Sequence, residues 1–302
     1  MFLTQKIGFQ ELLSAVRKTY AIDIDASPFA AIIHRGMHLV AFPEGRAPIV
    51  IMISASSAGR AAYEALRLVS KGIPEHVAAP IGMITADGSI ATIVSFVPHV
   101  KATAQTLCRP EFISQVGTIL AAMARINPND GEAVNAFADE AAIEKIATQE
   151  LGFDAAYIEI IRVMIDTMPQ VRQHGDFLLS NLGVTPTGYV VAFDWEDYGR
   201  IRWPGFDGAT FLLSLSHHLG EDRLLSTSPD SFLAWIDSRC GFELPRACGL
   251  DAHDFARMFV WNLAAFVHLK RDFGYGEEIG DRAVRMATQV RTSSSWLAFL
   301  RR

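Results

Sequence analysis

The apolar pattern of this chain changes its period once, near Pro98, and that change limits the architectures open to it. From Pro28 to about Pro98, short apolar runs alternate with turn residues such as those of "PEGR". "FAAIIH", "HLVAF", "PIVIMIS", "APIGMI" and "IATIVSFV" read as strands. One helix interrupts them. "SSAGRAAYEALRLVSKG" sets Ala62, Leu66 and Val69 at helical spacing, opens on Ser and stops at Gly72. After Pro98 the helical period takes over. "PEFISQVGTILAAMARI" carries Phe112, Val116, Ile119, Leu120 and Met123 on one stripe. "DAAYIEIIRVMIDTM", "DSFLAWIDSRC" and "DAHDFARMFVWNLAAFVHLKRDF" read the same way, each opening near an Asp able to cap it. The expected fold is α+β: a small N-terminal antiparallel sheet with one helix over 1–98, then a larger, mostly helical part over 99–302.

Charge and cysteine usage narrow the class. The formal net charge is −6, which gives no basic footprint for nucleic acid. No apolar run reaches the roughly 18 residues of a membrane span. The first twenty residues carry charges throughout, unlike the apolar core of a signal peptide. Cys108, Cys240 and Cys248 are odd in number and widely spaced. They form neither a disulfide framework nor a zinc pattern, and read as buried thiols of a cytoplasmic protein.

Inside the helical part lies one β interlude, "NLGVTPTGYVVAFDW", two short strands around the turn "TPTG". Polar clusters stand at both its ends. Before it comes "QHGDFLLSN", in which His174, Asp176 and Asn181 flank apolar Phe177, Leu178 and Leu179. After it comes "FDWED", with Asp194, Glu196 and Asp197. Such polar side chains are buried beside apolar ones only when partnered. An Asn oxygen and a nearby carboxylate are hard ligands suited to Mg²⁺, which keeps positions open for phosphates. A further carboxylate is then left to accept a proton from a hydroxyl, the division of labour in phosphoryl transfer.

"HGDFLLSN" followed by "VVAFDWE" resembles the catalytic and metal-binding segments of the aminoglycoside phosphotransferase and choline kinase superfamily, whose members share the protein-kinase-like two-lobe fold. "WPGFDGATFL" resembles the segment of that family in which an Asp, here Asp207, opens a helix and braces the catalytic loop. The resemblance implies a small-molecule kinase that uses ATP or GTP and Mg²⁺ to phosphorylate a hydroxyl of an aminoglycoside-, choline- or sugar-like substrate; a homodimer is the assembly considered. It makes Asp176 the catalytic base, His174 its support, and Asn181 and Asp194 the metal ligands. It gives nucleotide contacts to Glu64, to position 52 and to Ser95 and Val97 of the hinge. Glu196, Asp197, Trp203 and Trp261 become substrate contacts. One position departs from the pattern. The strand Lys that pairs with the helix Glu is replaced by Met52, and no Lys occurs between Lys18 and Lys71. Arg46 and Arg60 are the nearby cations. This departure carries the alternative reading, a pseudokinase of the same fold that binds a ligand or partner without turnover.

Overall fold

A computed structural model describes residues 6–20, 24–33, 36–86, 89–107, 109–126, 135–221, 228–272 and 277–301. Cys108 and Phe273 lie outside the described residues. The helices are α1 (Lys6–Tyr20), α2 (Ser56–Val69), α3 (Ala104–Leu107), α4 (Pro110–Arg125), α5 (Glu140–Lys145), α6 (Ala155–Thr167), α7 (Phe206–His218), α8 (Pro229–Cys240), α9 (Glu243–Ala247), α10 (Ala252–Asp272), α11 (Glu277–Thr292) and α12 (Ser294–Leu300). The strands are β1 (Ile24–Ile33), β2 (Gly36–Pro43), β3 (Ile49–Ala55), β4 (Pro80–Ala86), β5 (Ser89–Ser95), β6 (Val100–Lys101), β7 (Leu182–Val184) and β8 (Val190–Ala192). None of the described helices is long and apolar enough to cross a membrane.

The residues gather into two compact units. The first takes the described residues of Met1–Val100, Asn129–Asn135 and Gly183–Tyr198. The second takes those of Lys101–Pro128, Ala136–Leu182 and Gly199–Arg302.

In the first unit, β1 to β5 form an antiparallel sheet in the order β1-β2-β3-β5-β4. The alternation of side chains along a strand sorts its two faces. Leu39, Ile51 and Ile93 stand opposite one another across β2, β3 and β5. With Ala41, Ile49 and Ala91 they form a core that Val16 of α1 completes. His38, Met52 and Thr92 form the register one residue along, so they occupy the other face. There α2 packs, and the Thr92 hydroxyl donates to Gly59 O at 3.0 Å. The stretch around β8 joins this unit through the short 3-10 turn Pro74–His76. His76 Nδ1 donates to Val190 O at 2.7 Å, and Val77 bridges Ala192 in parallel.

The second unit is helical for the reasons its sequence gives. Pro110 opens α4, and Phe112, Val116, Ile119, Leu120 and Met123 are all buried. Asp154 caps α6 by accepting from Tyr157 N at 2.9 Å, and Asp251 caps α10 by accepting from Asp254 N at 2.8 Å. α8 starts one residue before Asp230, with Ser228 as its cap and Pro229 in its first turn. α5 runs on into a π-helical turn, Ile146–Glu150. Cys240 and Cys248 are buried thiols in this unit, and burial pushes the Cys240 thiol up to about 12.

Candidate active site

The loop from Gln173 to Asn181 belongs to the second unit and is fixed by α7 and α10. Phe177 is fully buried, its ring 6.3 Å from Phe211 of α7 and 5.6 Å from His174. Leu179 N donates to Ser214 Oγ of α7 at 3.1 Å. Gly175 has φ 88, a left-handed conformation that explains a glycine there. Where the chain turns, Asp207 receives it. Its carboxylate accepts from His174 N at 2.5 Å and from Gly175 N at 3.0 Å. Asp207 N in turn donates to Gln173 Oε1 at 2.9 Å. Asp207 is fully buried, and burial pushes its carboxyl up to about 7; the two backbone donors pull it down, and the nearby Asp176 charge pushes it up.

Asp176 and Asn181 are brought together within this loop. Asn181 Nδ2 donates to Asp176 O at 2.8 Å and to Asp176 Oδ2 at 3.0 Å. Both protons of the amide are thereby spent on Asp176, which leaves the amide oxygen as the end that can meet a cation. His174 is fully buried, and its Nδ1 accepts from Asp176 N at 3.3 Å. The sequence reading missed the remaining partner. Lys270 of α10 reaches across the chain and donates Nζ to Asp176 Oδ1, forming a buried ion pair. Its sequence signal is a lysine on the apolar stripe of α10, four residues after Phe266 and eight after Asn262.

Asp194, Glu196 and Asp197 belong to the first unit. Asp194 is exposed and has φ 63, the only non-glycine positive φ among the described residues. Asp tolerates that region better than most residues, yet the conformation costs about 1 kcal/mol or more and persists where surrounding structure imposes it. The next residue is anchored: Trp195 is buried and its indole N–H donates to Ala192 O at 3.1 Å. Asn135 Nδ2 donates to Glu196 O at 2.9 Å and Tyr198 O at 3.0 Å, which pins the turn that carries Glu196 and Asp197. Among the described residues no group of three or more His, Cys, Asp and Glu side chains is placed to hold a metal.

The remaining expected residues fall elsewhere. Met52 is half-buried on β3, between His38 and Thr92. Burial lowers the pKa of His38 below the ordinary range. Glu64 is paired within α2, where Arg67 donates to it from Nε at 2.9 Å and Nη2 at 2.8 Å. Arg46 and Arg60 are exposed. Ser95 closes β5, its hydroxyl accepting from Ala79 N at 2.8 Å, and Val97 O accepts from His99 Nδ1 at 2.9 Å. Trp203 and Trp261 are 2 % exposed. Their rings meet edge to face at 6.2 Å, and Trp203 Nε1 donates to Asn262 Oδ1 at 2.8 Å, so both indoles are spent as core of the second unit.

A small antiparallel sheet followed by a mostly helical remainder is a protein-kinase-like fold. The sequence model of the phosphotransferase enzyme family matches residues 46–229. More than half of the chain is matched, and the chain belongs to that family. No curated protein matches it by sequence. Among solved structures, it is similar to choline kinase LicA from Streptococcus pneumoniae, with TM-score 0.57 at 12% identity over 92% of this chain and 99% of the other. It is also similar to a thermostable mutant of aminoglycoside phosphotransferase APH(4)-Ia in ternary complex with AMP-PNP and hygromycin B, with TM-score 0.57 at 11% identity over 94% and 99%. An ethanolamine kinase from Plasmodium vivax gives TM-score 0.56 at 12% identity over 92% and 85%.

Proposed function

We propose that the protein is a kinase that transfers the γ-phosphoryl group of ATP or GTP to a hydroxyl of a small molecule. The observation that carries this reading is the carboxylate of Asp176, buried in a loop fixed by α7 and α10 and held by Asn181 on one oxygen and Lys270 on the other. A carboxylate fixed in this way can accept a hydrogen bond from an acceptor hydroxyl and orient its oxygen for in-line attack. As the acceptor oxygen bonds to phosphorus and the nucleoside diphosphate leaves, the hydroxyl proton passes to Asp176. Asn181 and Asp194 are the oxygen ligands assigned to Mg²⁺, which when bound neutralises charge on the phosphates. His174 and Asp207 keep the loop in shape, the first by accepting from Asp176 N, the second by accepting from His174 N and Gly175 N. Supporting this assignment are membership of a phosphotransferase family and a fold shared with choline, ethanolamine and aminoglycoside kinases. The test is ligand-linked stability. Mg²⁺ with a non-hydrolysable ATP analogue should raise the melting temperature, and Asp194→Ala should abolish the rise; a wild-type protein whose melting is unmoved by both nucleotides contradicts the reading.

A second reading, a family member that binds without turnover, is favoured by one observation. Met52 offers no charge to phosphates, and Glu64 is already paired to Arg67 on its own helix. Phosphate transfer by the wild type, lost in Asp176→Asn, would eliminate this second reading.

A further inference from the structure

Lysine is rarely fully buried, because its ammonium must be desolvated and then matched by an opposite charge. Lys270 is 3% exposed and Asp176 6%, so their ion pair is largely withdrawn from bulk water. The lysine comes from 94 residues further along the chain. Asn262, Phe266 and Lys270 follow one another at four-residue steps along α10 and so share a face of it. That face is held in place at each step. Asn262 accepts the indole N–H of Trp203, and the Phe266 ring centroid lies 5.6 Å from the Lys270 ammonium. The ammonium then meets Asp176 Oδ1, while Oδ2 of the same carboxylate accepts from Asn181. A carboxylate gripped at one oxygen alone can turn about its last bond. Gripped at both, one by a side chain of its own loop and one by a distant helix, it keeps a single plane.

We infer that Lys270 is a positioning residue for phosphoryl transfer: it fixes the plane of the Asp176 carboxylate, so that the lone pair left free points where the acceptor hydroxyl must lie. The inference rests on the reading of Asp176 as the group that takes the acceptor proton. Lys270 keeps its own protons throughout. The acceptor O–H bond breaks towards Asp176 as the new O–P bond forms and the bond from phosphorus to the departing diphosphate breaks. A loss of aim at this carboxylate acts on the reacting geometry and leaves nucleotide binding in place.

The experiment measures release of inorganic phosphate from Mg·ATP, with water as acceptor, by the full chain and by Lys270→Met, Lys270→Arg, Asp176→Asn and the double variant Asp176→Asn/Lys270→Met. Folding of each is checked by circular dichroism at the assay temperature. Lys270→Met should lose about a hundredfold in kcat, with KM for ATP within about twofold of wild type. Lys270→Arg should fall between the two, because it restores the charge on a differently shaped head group. The double variant should be no slower than Asp176→Asn, since Lys270 acts only through that carboxylate. If Lys270→Met does not fold, Lys270→Arg decides: a lower kcat with unchanged KM supports the role. A kcat within twofold of wild type in the folded Lys270 variants, or a double variant slower than Asp176→Asn by the full single-variant factor, overturns it. Wild-type protein that neither releases phosphate to water nor transfers it to choline, ethanolamine, amino sugars, homoserine or aminoglycosides overturns the parent reading instead, and the inference with it.

Discussion

Two regions that the sequence pairs as parts of one chemistry are built to different standards. The loop of Asp176 in the second unit has its carboxylate engaged at both oxygens, its backbone N–H groups received by Asp207 and its apolar middle packed against α7. The sheet position of Met52 in the first unit offers nothing comparable. Its cross-strand neighbours are Thr92, whose hydroxyl is committed to α2, and His38, which burial drives towards its neutral form. Glu64 turns to Arg67 along the helix surface. The difference teaches where precision is concentrated. Buried, fully partnered polar groups set one geometry, because each alternative strands a charge, while a pair three residues apart on one helix, its arginine exposed, sets very little.

The contrast can be broken most forcefully at Lys270. Lys270→Met leaves the Asp176 carboxylate buried without its counter-charge, and should lower unfolding free energy by about 3–5 kcal/mol. Chemical denaturation measures this, and a loss below 1 kcal/mol would mean that the pair behaves like a surface one. A middle effect is expected at Asp207. Asp207→Asn puts an amide N–H where one backbone donor needs an acceptor, at a cost of about 1–3 kcal/mol. It also removes a titration. The Asp207 carboxyl sits at about 7 in the fold against an ordinary value of 3.8. The unfolded chain therefore gives up this proton near 3.8 while the folded chain holds it to about 7. The stabilisation from this group is whole below the lower value, is lost as pH rises towards the upper one, and stays level above it. Unfolding measured across that window should fall less with pH in Asp207→Asn than in wild type; equal slopes would contradict the shift. The smallest effect belongs to Glu64→Gln, which should change stability by about 0.2–0.5 kcal/mol, with a larger loss showing that Glu64 does more than pair with Arg67.

Much of the fold was legible because it is written in local periodicity. The stripe of Phe112, Val116, Ile119, Leu120 and Met123 is buried along α4, and the strand runs from "HLVAF" to "IATIVSFV" pair in one antiparallel sheet. α1 was not foreseen, since charges along Lys6–Tyr20 hide the apolar positions, among them Val16 and Tyr20, that meet the sheet core. At the site, the spacing of His174, Asp176 and Asn181 pointed to groups that the loop does bring together. Lys270 carried only one signal, a lysine on the apolar stripe of α10; the partner it meets 94 residues earlier is written in neither segment. Trp203 and Trp261 show the opposite error of inference. Aromatic residues at helical spacing are more often core than pocket, and their packing assigns these two to the core.

The central claim is that Asp176 takes the proton of the acceptor in a phosphoryl transfer. It is tested most directly by comparing wild type with Asp176→Asn for phosphate transfer from Mg·ATP to a panel of choline, ethanolamine, amino sugars, homoserine and aminoglycosides, with nucleotide binding followed in parallel. The account predicts transfer to at least one acceptor by the wild type, a drop of about 10²–10⁴-fold in Asp176→Asn, and nucleotide binding that survives the substitution. Transfer by Asp176→Asn at the wild-type rate would contradict it.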